Sequence, residues 1–223
     1  NKKMKGLLPG PSGDANKKKN DTAQPSARQK FAALIYDEAQ TMRSLINDVL
    51  TLSKLDESAF ENDGATAINL CAVAQRVAGR LSSFADDQGV RVRVEGASAC
   101  IAGSETLAEE MLYNLIENGI RYNHEGGLVT MKVGSECVEG GLANAAYQTV
   151  VRVSDTGPGI PAELHDKVFE RFFRVDKSRS KETGGTGLGL AIVKHAVMYH
   201  GGVIEVESAE GQGTTFVLRF PSA

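Results

Sequence analysis

Few residues in this chain are of the types that hold a structural metal or form a disulfide framework. The 223 residues include only three cysteines and four histidines. Cys71, Cys100 and Cys137 have no metal-binding spacing, and an odd number of cysteines cannot all pair with one another. The histidines are equally scattered. This composition indicates a reducing compartment and argues against a structural metal site.

Long apolar runs are absent as well. No stretch approaches the roughly 20 apolar residues that a membrane-spanning helix requires. The first residues are basic but lack the apolar core of a signal peptide, so we expect no cleaved leader. The net charge of −3 argues against general nucleic-acid binding. The sequence therefore predicts a soluble globular protein of one or two domains.

Two segments precede the main domain in the predicted organisation. Residues 1–25 contain glycines, prolines and a lysine run but few large apolar side chains, which predicts a flexible basic tail. Residues 26–57 predict one long helix, because apolar residues recur there at steps of three, four or seven. Such a helix requires a partner helix, in a bundle or a dimer, or must dock on the main domain.

Residues 65–223 show the mixed pattern of a single main domain. Helices are predicted at 70–88, 104–122 and 187–200. Strands are predicted at 90–95, 100–102, 128–137, 147–153, 203–206 and 215–220. Short connections favour a mixed, largely antiparallel sheet with the helices on one face. The predicted fold class is α+β, a two-layer α/β sandwich preceded by a long α-helix.

A glycine-rich stretch from Gly184 to Lys194 is the most distinctive feature of the sequence. Gly185, Gly187 and Gly189 alternate with larger residues, and an apolar helical pattern follows at once. Glycines allow close backbone approach, and a helix N-terminus directs unpaired N–H groups toward an anion. The stretch has neither the Gly-Lys-Ser/Thr of a P-loop nor the acidic residue of a dinucleotide fold. It predicts either a phosphate-binding loop or a flexible turn before an ordinary helix.

The predicted helix 104–122 carries two amides on one face, Asn114 and Asn118. Amides among apolar residues are poor core choices unless they bind something. Amide oxygens suit Mg²⁺, while Arg121 is a candidate phosphate ligand and Tyr122 a candidate wall for a base. The alternative is a hydrogen-bonded polar stripe that faces solvent.

The turn Asp155-Thr-Gly-Pro-Gly-Ile160 directly follows a predicted strand. A carboxylate at a strand end can accept a hydrogen bond from an amino group such as that of adenine. Gly157 and Gly159 would let a purine lie close to the backbone. An ordinary Asp-containing turn is the alternative.

Two further segments complete the set of polar motifs. Phe169-Glu-Arg-Phe-Phe-Arg174 precedes a polar basic loop, which predicts either a mobile lid over phosphates or a solvated surface loop. Gly211-Gln-Gly-Thr-Thr-Phe216 is a glycine turn into the last predicted strand, with two hydroxyls that suit a hairpin or a ligand.

In this order and spacing, the motifs resemble the catalytic ATP-binding domain of bacterial sensor histidine kinases. That family has the Bergerat-type ATP-binding fold of gyrase, the Hsp90 chaperone and MutL. The resemblance covers residues 65–223, and residues 27–56 resemble the second helix of the same family's dimerisation and phosphotransfer domain. It implies a two-component protein histidine kinase with ATP and Mg²⁺ as cofactors. It also implies a response regulator receiver domain as partner, homodimerisation through the helical domain, and a cytoplasmic location within a membrane-anchored parent protein.

The resemblance further implies roles for individual residues. Asn118 would ligate Mg²⁺, with Asn114 as a candidate second ligand. Asn114 and Arg121 would be the catalytic residues. Asp155 would accept a hydrogen bond from the adenine amino group, assisted by Thr215.

A wider set of residues would surround the nucleotide. Phe169, Phe172 and Phe173 would anchor the lid, and the glycine-rich stretch would present its backbone to the phosphates. The implied nucleotide-binding residues are Asn114, Asn118, Arg121, Tyr122, Asp155, Gly157, Gly159, Ile160, Phe169, Phe172, Arg174, Gly185, Thr186, Gly187, Leu188, Gly189 and Thr215.

The phosphoacceptor is where the sequence departs from the family pattern. The family transfers a phosphoryl group to a histidine in a Ser/Ala-His-Glu-Leu-Arg-Thr-Pro-Leu string, which this sequence lacks. None of His124, His165, His195 and His200 has a matching context. We therefore expect the chain to bind Mg–ATP without phosphorylating itself, because the acceptor imidazole must come from elsewhere.

Three alternatives share the fold or the site. An ATP hydrolase of the gyrase, Hsp90 and MutL type would carry a glutamate at position 114, because an amide cannot act as a general base. A serine kinase of the anti-sigma type would not require the long helix. A module that binds nucleotide only to signal or to dimerise is compatible with the missing histidine.

Overall fold

The computed structural model describes residues 66–138, 146–175 and 185–222, together with scattered positions between 28 and 53. The chain divides into two compact units, Asn1–Glu38 and Ala39–Ala223. The described positions of the first unit are helical, and so are those up to residue 53 in the second. The predicted tail and the predicted boundary after residue 57 lie outside the described residues. Within the described residues, no helix has the length and apolar character to cross a membrane.

The second unit contains seven strands and four helices among its described residues after position 65. The strands are β1 Thr66–Asn69, β2 Arg91–Gly96, β3 Cys100–Gly103, β4 Leu128–Val138, β5 Ala146–Asp155, β6 Val203–Ser208 and β7 Thr214–Pro221. The helices are α1 Leu70–Arg80, α2 Ser82–Asp87, α3 Glu105–Arg121 and α4 Gly189–Tyr199. Two short 3₁₀ turns, Ala162–Leu164 and Lys167–Phe169, lie between β5 and α4.

Five strands form one mixed sheet in the order β2-β4-β5-β7-β6. Strands β2 and β4 are parallel, and the other three neighbouring pairs are antiparallel. In this register Asp155, the last residue of β5, lies opposite Val129 of β4 and Thr214 of β7. The predicted mixed, largely antiparallel sheet is confirmed, and its pairing fixes the position of the Asp155 carboxylate.

The hydrophobic core lies between the helices and one face of this sheet. On β4, the buried Val129, Met131 and Val133 alternate with residues that are more exposed, as expected for a strand with one covered face. Helix α3 contributes the largest apolar set, with Met111 and Leu112 fully buried. Each such side chain stabilises the fold by about 1.5–3 kcal/mol through removal from water.

Most strand boundaries differ from the sequence prediction by one or two residues, and three features differ in other ways. The predicted helix 70–88 is interrupted at Leu81, whose backbone (φ −90°, ψ 1°) leaves the helical region, so that α1 and α2 are separate. Helix α4 begins at Gly189 and not at residue 187, because Gly187 has φ +74°. Strand β1 was not predicted at all. Its four residues are too few for a periodic signal, and pairing with β3 forms the strand.

Side-chain caps define where two of the helices begin. The Asn69 side chain accepts hydrogen bonds from the N–H groups of Cys71 and Ala72 at the start of α1. The Ser104 hydroxyl accepts from Leu107 N at the start of α3, which is the usual contact of a serine N-cap. The cap at Ser104 fixes the start of the helix that carries Asn114 and Asn118.

Candidate nucleotide-binding site

A single cavity of about 1150 Å³ brings most of the polar motifs together. Helix α3 forms one wall, the ends of β5 and β7 form another, and the glycine-rich stretch before α4 lies at its edge. Most of the residues predicted to bind nucleotide line it. These are Asn114, Asn118, Arg121, Tyr122, Asp155, Gly159, Ile160, Arg174, Gly185, Thr186, Gly187 and Gly189.

Asp155 is the acceptor at the strand end of the cavity. Its Oδ1 accepts a hydrogen bond from the Gly157 N–H at 2.8 Å, which closes the turn that follows β5. Burial raises the pKa of the Asp155 carboxyl, although hydrogen bonds with the backbone at Gly157 and Thr214 oppose that effect. A buried carboxylate with room beside it gains from a ligand that donates a hydrogen bond.

The turn after Asp155 fits against the turn before β7, with backbone in contact with backbone. Gly159 has φ +74°, and a Cβ there would lie 2.0 Å from the Ala209 carbonyl oxygen. Gly213 has φ +81°, and a Cβ there would lie 2.1 Å from the Asp155 carbonyl oxygen. The Ser208 hydroxyl joins the two turns by accepting from Ile160 N at 2.8 Å. Glycine at both positions therefore allows the two turns to pack directly against each other beside the cavity.

The structure places Thr214, and not the predicted Thr215, opposite Asp155. Thr214 lines the cavity and lies opposite Asp155, whereas Thr215 is not among the described lining residues. The Thr215 hydroxyl lies 2.9 Å from that of Ser154, its partner across the strands. Side chains alternate along a strand, so a shift of one residue moves the hydroxyl to the other face. The register that decides between the two is not readable from the sequence.

Asn114 and Asn118 lie on the inner face of α3, as their spacing predicts. Asn114 is buried, with 8% of its surface exposed, and its Nδ2 donates to the Glu110 carbonyl at 2.9 Å. A Cβ at Gly189 would lie 2.6 Å from Asn114 Oδ1, so only glycine allows α4 to begin this close to the amide. Both amides therefore lie on the cavity wall beside the glycine-rich stretch.

Charged groups of both signs surround these amides. Arg121 forms a 2.7 Å ion pair with Glu117, and its guanidinium lies 5.5 Å from the centre of the Phe84 ring. Glu110 also lines the cavity. Burial raises the pKa of the Glu110 carboxyl, and the nearby charge of Asp48 raises it further. A phosphate chain at this end would thus meet a cation that is already paired with a carboxylate.

The glycine-rich stretch lines the cavity through its backbone and through Thr186. Gly187 accepts a hydrogen bond from the Phe172 N–H at 2.9 Å, and a Cβ at Gly187 would lie 3.0 Å from the Phe172 backbone. The Arg174 guanidinium donates to the Gly185 carbonyl. Leu188 is the exception to the predicted set. It is fully buried with Ala191 and Ile192 and does not line the cavity.

The predicted aromatic anchors have three different environments. Phe169 packs edge-to-face on Phe216 with ring centres 6.2 Å apart, and Phe173 lines the cavity. Phe172 is 63% exposed, so its ring anchors nothing in the described part of the chain. Its φ of +63° lies in the left-handed region. Phe172 contacts the glycine-rich stretch through its backbone, whose N–H donates to the Gly187 carbonyl. Neither Phe169 nor Phe172 lines the cavity, and neither does Gly157.

Several cavity residues carried no recognisable sequence signal. Asp48 and Leu50 come from the N-terminal helical region, and Glu110 and Glu117 occupy α3 positions that match ordinary surface glutamates. No composition or spacing signal distinguishes them from other helix residues. The other lining residues that were not predicted are Tyr113, Gly119, Asn123, Pro158, Pro161, Val168, Val175, Leu190, Glu210, Thr214 and Phe216.

The amide oxygens in the cavity suit a hard cation such as Mg²⁺, which takes most of its ligands from water and phosphate. Among the described residues, no group of three or more His, Cys, Asp or Glu is placed to hold a metal ion. Mg²⁺ typically takes one or two protein oxygens and completes its shell with water and phosphate oxygens. The Asn118 and Asn114 amides beside the glycine-rich stretch fit that pattern.

Comparison with known sequences gives a family match over more than half of the chain. Residues 103–223 match the profile of the "Histidine kinase-, DNA gyrase B-, and HSP90-like ATPase" family. The chain is 34% identical over 195 residues to the sensor-like histidine kinase SenX3 of Mycobacterium tuberculosis, covering 87% of this chain and 45% of that protein. It is 38% identical over 186 residues to the sensor protein IrlS of Burkholderia pseudomallei, covering 83% and 38%. The chain thus spans less than half the length of these relatives.

A solved structure gives the same result for the fold. Full-length ShkA in complex with AMPPNP superposes with a TM-score of 0.68 at 27% identity, covering 90% of this chain and 40% of that one. The segment that matches the family profile, residues 103–223, includes the helix with both amides, the Asp155 turn and the glycine-rich stretch. The chain belongs to the histidine kinase-, DNA gyrase B- and HSP90-like ATPase family, and its main domain is the ATP-binding catalytic domain of sensor histidine kinases.

Proposed function

We propose that this chain binds Mg–ATP in the described cavity and transfers the γ-phosphoryl group to a histidine on another polypeptide segment. One observation carries the proposal. The acceptor Asp155 and the amide pair Asn114 and Asn118 line the same cavity, which the glycine-rich stretch borders. A base site and a phosphate site joined in one cavity match the two ends of a nucleoside triphosphate.

The base would be recognised at the strand end. Asp155 would accept a hydrogen bond from the 6-amino group of adenine, with Thr214 beside it in place of the predicted Thr215. Guanine has a carbonyl oxygen at that position, and two acceptors facing each other would leave the buried carboxylate unpaired. The site would therefore select adenine through a single buried group.

The phosphates would lie at the amide end. Asn118, with Asn114 beside it, would hold the cation through amide oxygens, and Mg²⁺ when bound would neutralise charge that develops on the phosphoryl oxygens. Arg121 and Arg174 would add fixed positive charge, and the glycine-rich stretch would contribute N–H groups. Phosphoryl transfer has a loose transition state, so position and charge neutralisation are the main demands on these residues.

The acceptor imidazole would come from outside this chain. An imidazole nitrogen would attack the γ-phosphorus, the bond to the bridging oxygen would break, and ADP would leave. We further propose a response regulator receiver domain as the next phosphoryl acceptor, dimerisation through the helical region, and a membrane-anchored parent protein with this part in the cytoplasm. The names of SenX3 and IrlS as sensor proteins support this placement.

Calorimetric titration with a non-hydrolysable ATP analogue tests the binding proposal. We expect micromolar binding that weakens when Mg²⁺ is removed. Asp155→Asn should weaken it at least about tenfold, because an amide presents its own donor or a poorer acceptor to adenine. Binding that is unaffected by both changes would contradict the proposed site.

Incubation with labelled ATP tests the transfer proposal. We expect no acid-labile phosphate on the isolated chain. A second polypeptide that carries the histidine helix of a related kinase should become labelled when the chain is added. Asn118→Ala should prevent that labelling. Labelling of the isolated chain would overturn the expectation that its own histidines are not acceptors.

A further inference from the structure

One cavity residue comes from a part of the chain far from the nucleotide motifs. Asp48 belongs to the helical region, yet its Oδ2 accepts a hydrogen bond from the Thr186 hydroxyl at 2.9 Å, across 138 residues of sequence. The Thr186 hydroxyl oxygen also accepts from Leu188 N at 3.2 Å. A carboxylate is therefore held directly on the glycine-rich stretch that is proposed to receive phosphates.

An apolar contact accompanies this hydrogen bond. Leu45, three residues before Asp48, packs against the buried cluster of Leu188, Ala191 and Ile192 at the start of α4. Leu45 thus makes an apolar contact with the start of α4, and Asp48 makes a polar contact with the glycine-rich stretch just before it. The two contacts together hold Asp48 at the cavity, which Leu50 also lines.

Asp48 increases the negative charge at this end of the cavity. The carboxyls of Glu110 and Glu117 line the same cavity. Burial raises the pKa of the Asp48 carboxyl, the Thr186 hydrogen bond opposes this, and the charge of Glu117 adds to the increase. Like charges brought together away from water repel one another more strongly than they would in solvent.

We propose that Asp48 is a specificity-determining residue of the nucleotide cavity, which disfavours the more highly charged triphosphate relative to the diphosphate while the helical region is seated on Thr186. This inference rests on the proposed ATP function. The third phosphate adds negative charge near a carboxylate whose hydrogen-bond partner, among the described residues, is the Thr186 hydroxyl. When ATP binds, Asp48 must therefore either move away or repel the third phosphate. ADP lacks this phosphate, so the repulsion is smaller.

Calorimetry with two ligands measures this selectivity. Mg–ADP and Mg–AMPPNP are titrated into the full chain, into Asp48→Asn, and into Asp87→Asn as a control. The asparagine retains an oxygen that accepts from Thr186 but has no charge. We expect Asp48→Asn to tighten AMPPNP binding about tenfold and ADP binding about twofold or less. Asp87 is exposed on α2 and does not line the cavity, so its variant should bind both ligands as the original chain does.

A second variant tests the apolar contact of Leu45 with α4 and leaves the charge of Asp48 unchanged. Leu45→Ala removes the apolar contact, and it should shift the ratio of the two dissociation constants in the same direction as Asp48→Asn.

Equal changes in affinity for both ligands, or no change in affinity in Asp48→Asn, would overturn the inference but not the proposed binding site. Weaker binding of both ligands would assign Asp48 a purely structural role and would also overturn it. Failure of the original chain to bind either ligand would overturn the proposed function together with this inference.

Discussion

Gly159 and Gly211 have nearly the same backbone conformation but different surroundings. Their φ angles are +74° and +75°, both in the left-handed region. A Cβ at Gly159 would lie 2.0 Å from the Ala209 carbonyl, whereas a Cβ at Gly211 has nothing within 4 Å. The pair therefore separates the conformational cost of a side chain from the steric cost.

We predict that Gly211→Ala lowers the free energy of unfolding by about 1 kcal/mol, the cost of a left-handed alanine. Gly159→Ala should lower it by about 3 kcal/mol or more, because the backbone of two turns must also separate. Urea unfolding of both variants followed by circular dichroism gives the comparison. Equal losses would show that the contact at Ala209 adjusts without cost.

His200 is a buried histidine whose two nitrogens both contact backbone. Nδ1 lies 2.7 Å from the Ala196 carbonyl and Nε2 lies 3.2 Å from Ser104 N, which fits a neutral ring that donates at one nitrogen and accepts at the other. Burial lowers the pKa of His200 below its ordinary value of 6.5, although the hydrogen bonds to Ala196 and Ser104 oppose the shift. The ring ties the start of α3 to the end of α4.

The sign of the pH dependence follows from this shift. Below pH 6.5 an unfolded His200 binds a proton that the folded protein does not, so folding stability decreases as the pH falls toward the folded pKa. Above pH 6.5 both states are neutral and the contribution is constant. The limit is about 1.4 kcal/mol per pH unit for one proton.

We predict that His200→Gln has a smaller decrease in stability than the original chain between about pH 7 and about pH 5. Chemical unfolding at several pH values measures the slope for each. His124→Gln, at an exposed position, serves as the control and should retain the original slope. Identical slopes in the chain and in His200→Gln would exclude the linkage.

Helices α1 and α3 make two kinds of contact at their shared edge. Arg76 pairs with Glu105 and Arg80 pairs with Glu109, and all four side chains are partly or largely exposed. Arg80 also lies 5.4 Å from the centre of the Tyr113 ring. Exposed ion pairs contribute little, so the buried face of α3 should account for most of the stability of this contact.

We predict that Arg76→Gln costs less than about 1 kcal/mol of unfolding free energy, and that molar salt reduces this cost. Arg80→Gln should cost somewhat more, since it also loses the contact with Tyr113. Leu112→Ala, in the core, should cost about 2–5 kcal/mol. Guanidinium is unsuitable because it screens charge, so urea is the denaturant for all three. A larger loss for Arg76→Gln than for Leu112→Ala would contradict this order.

Secondary structure was predictable where a pattern was long. Helix α3 and strands β4 and β5 have enough residues for the apolar period to show. Strand β1 has four residues and depends on pairing with β3, and the break at Leu81 interrupts a continuous helical pattern. Short elements and breaks are decided by contacts with distant parts of the chain, which local periodicity does not contain.

At the scale of the whole molecule, the buried core is contained within residues 66–223. Every side chain of the main core cluster lies between Ile68 and Phe220. The helical region adds Leu45 to a smaller, separate cluster. The domain should therefore not require the first 65 residues in order to fold.

We predict that a fragment of residues 66–223 unfolds in a single cooperative transition. Its free energy of unfolding should decrease by about 1–3 kcal/mol relative to the full chain, because the Leu45 contact and the Asp48–Thr186 hydrogen bond are lost. Urea unfolding with two spectroscopic probes checks both the size and the cooperativity. Separate transitions for the two probes would show that the helical region is part of the core.

The family, the fold class and the main polar groups that line the cavity were all predictable from the amino-acid sequence. Asn114, Asn118 and Asp155 were identifiable because glycine turns and helical spacing are local properties of the chain. These signals also predicted the glycine-rich stretch that borders the cavity.

Which neighbours of those residues reach the cavity depends on how distant segments of the chain pack together. Strand register selects Thr214 over Thr215, packing buries Leu188, and a left-handed Phe172 leaves its ring in solvent. The hydrogen bond from Thr186 places Asp48 in the cavity across most of the chain length. Burial and proximity between distant segments depend on how the elements pack, and no local pattern encodes that arrangement.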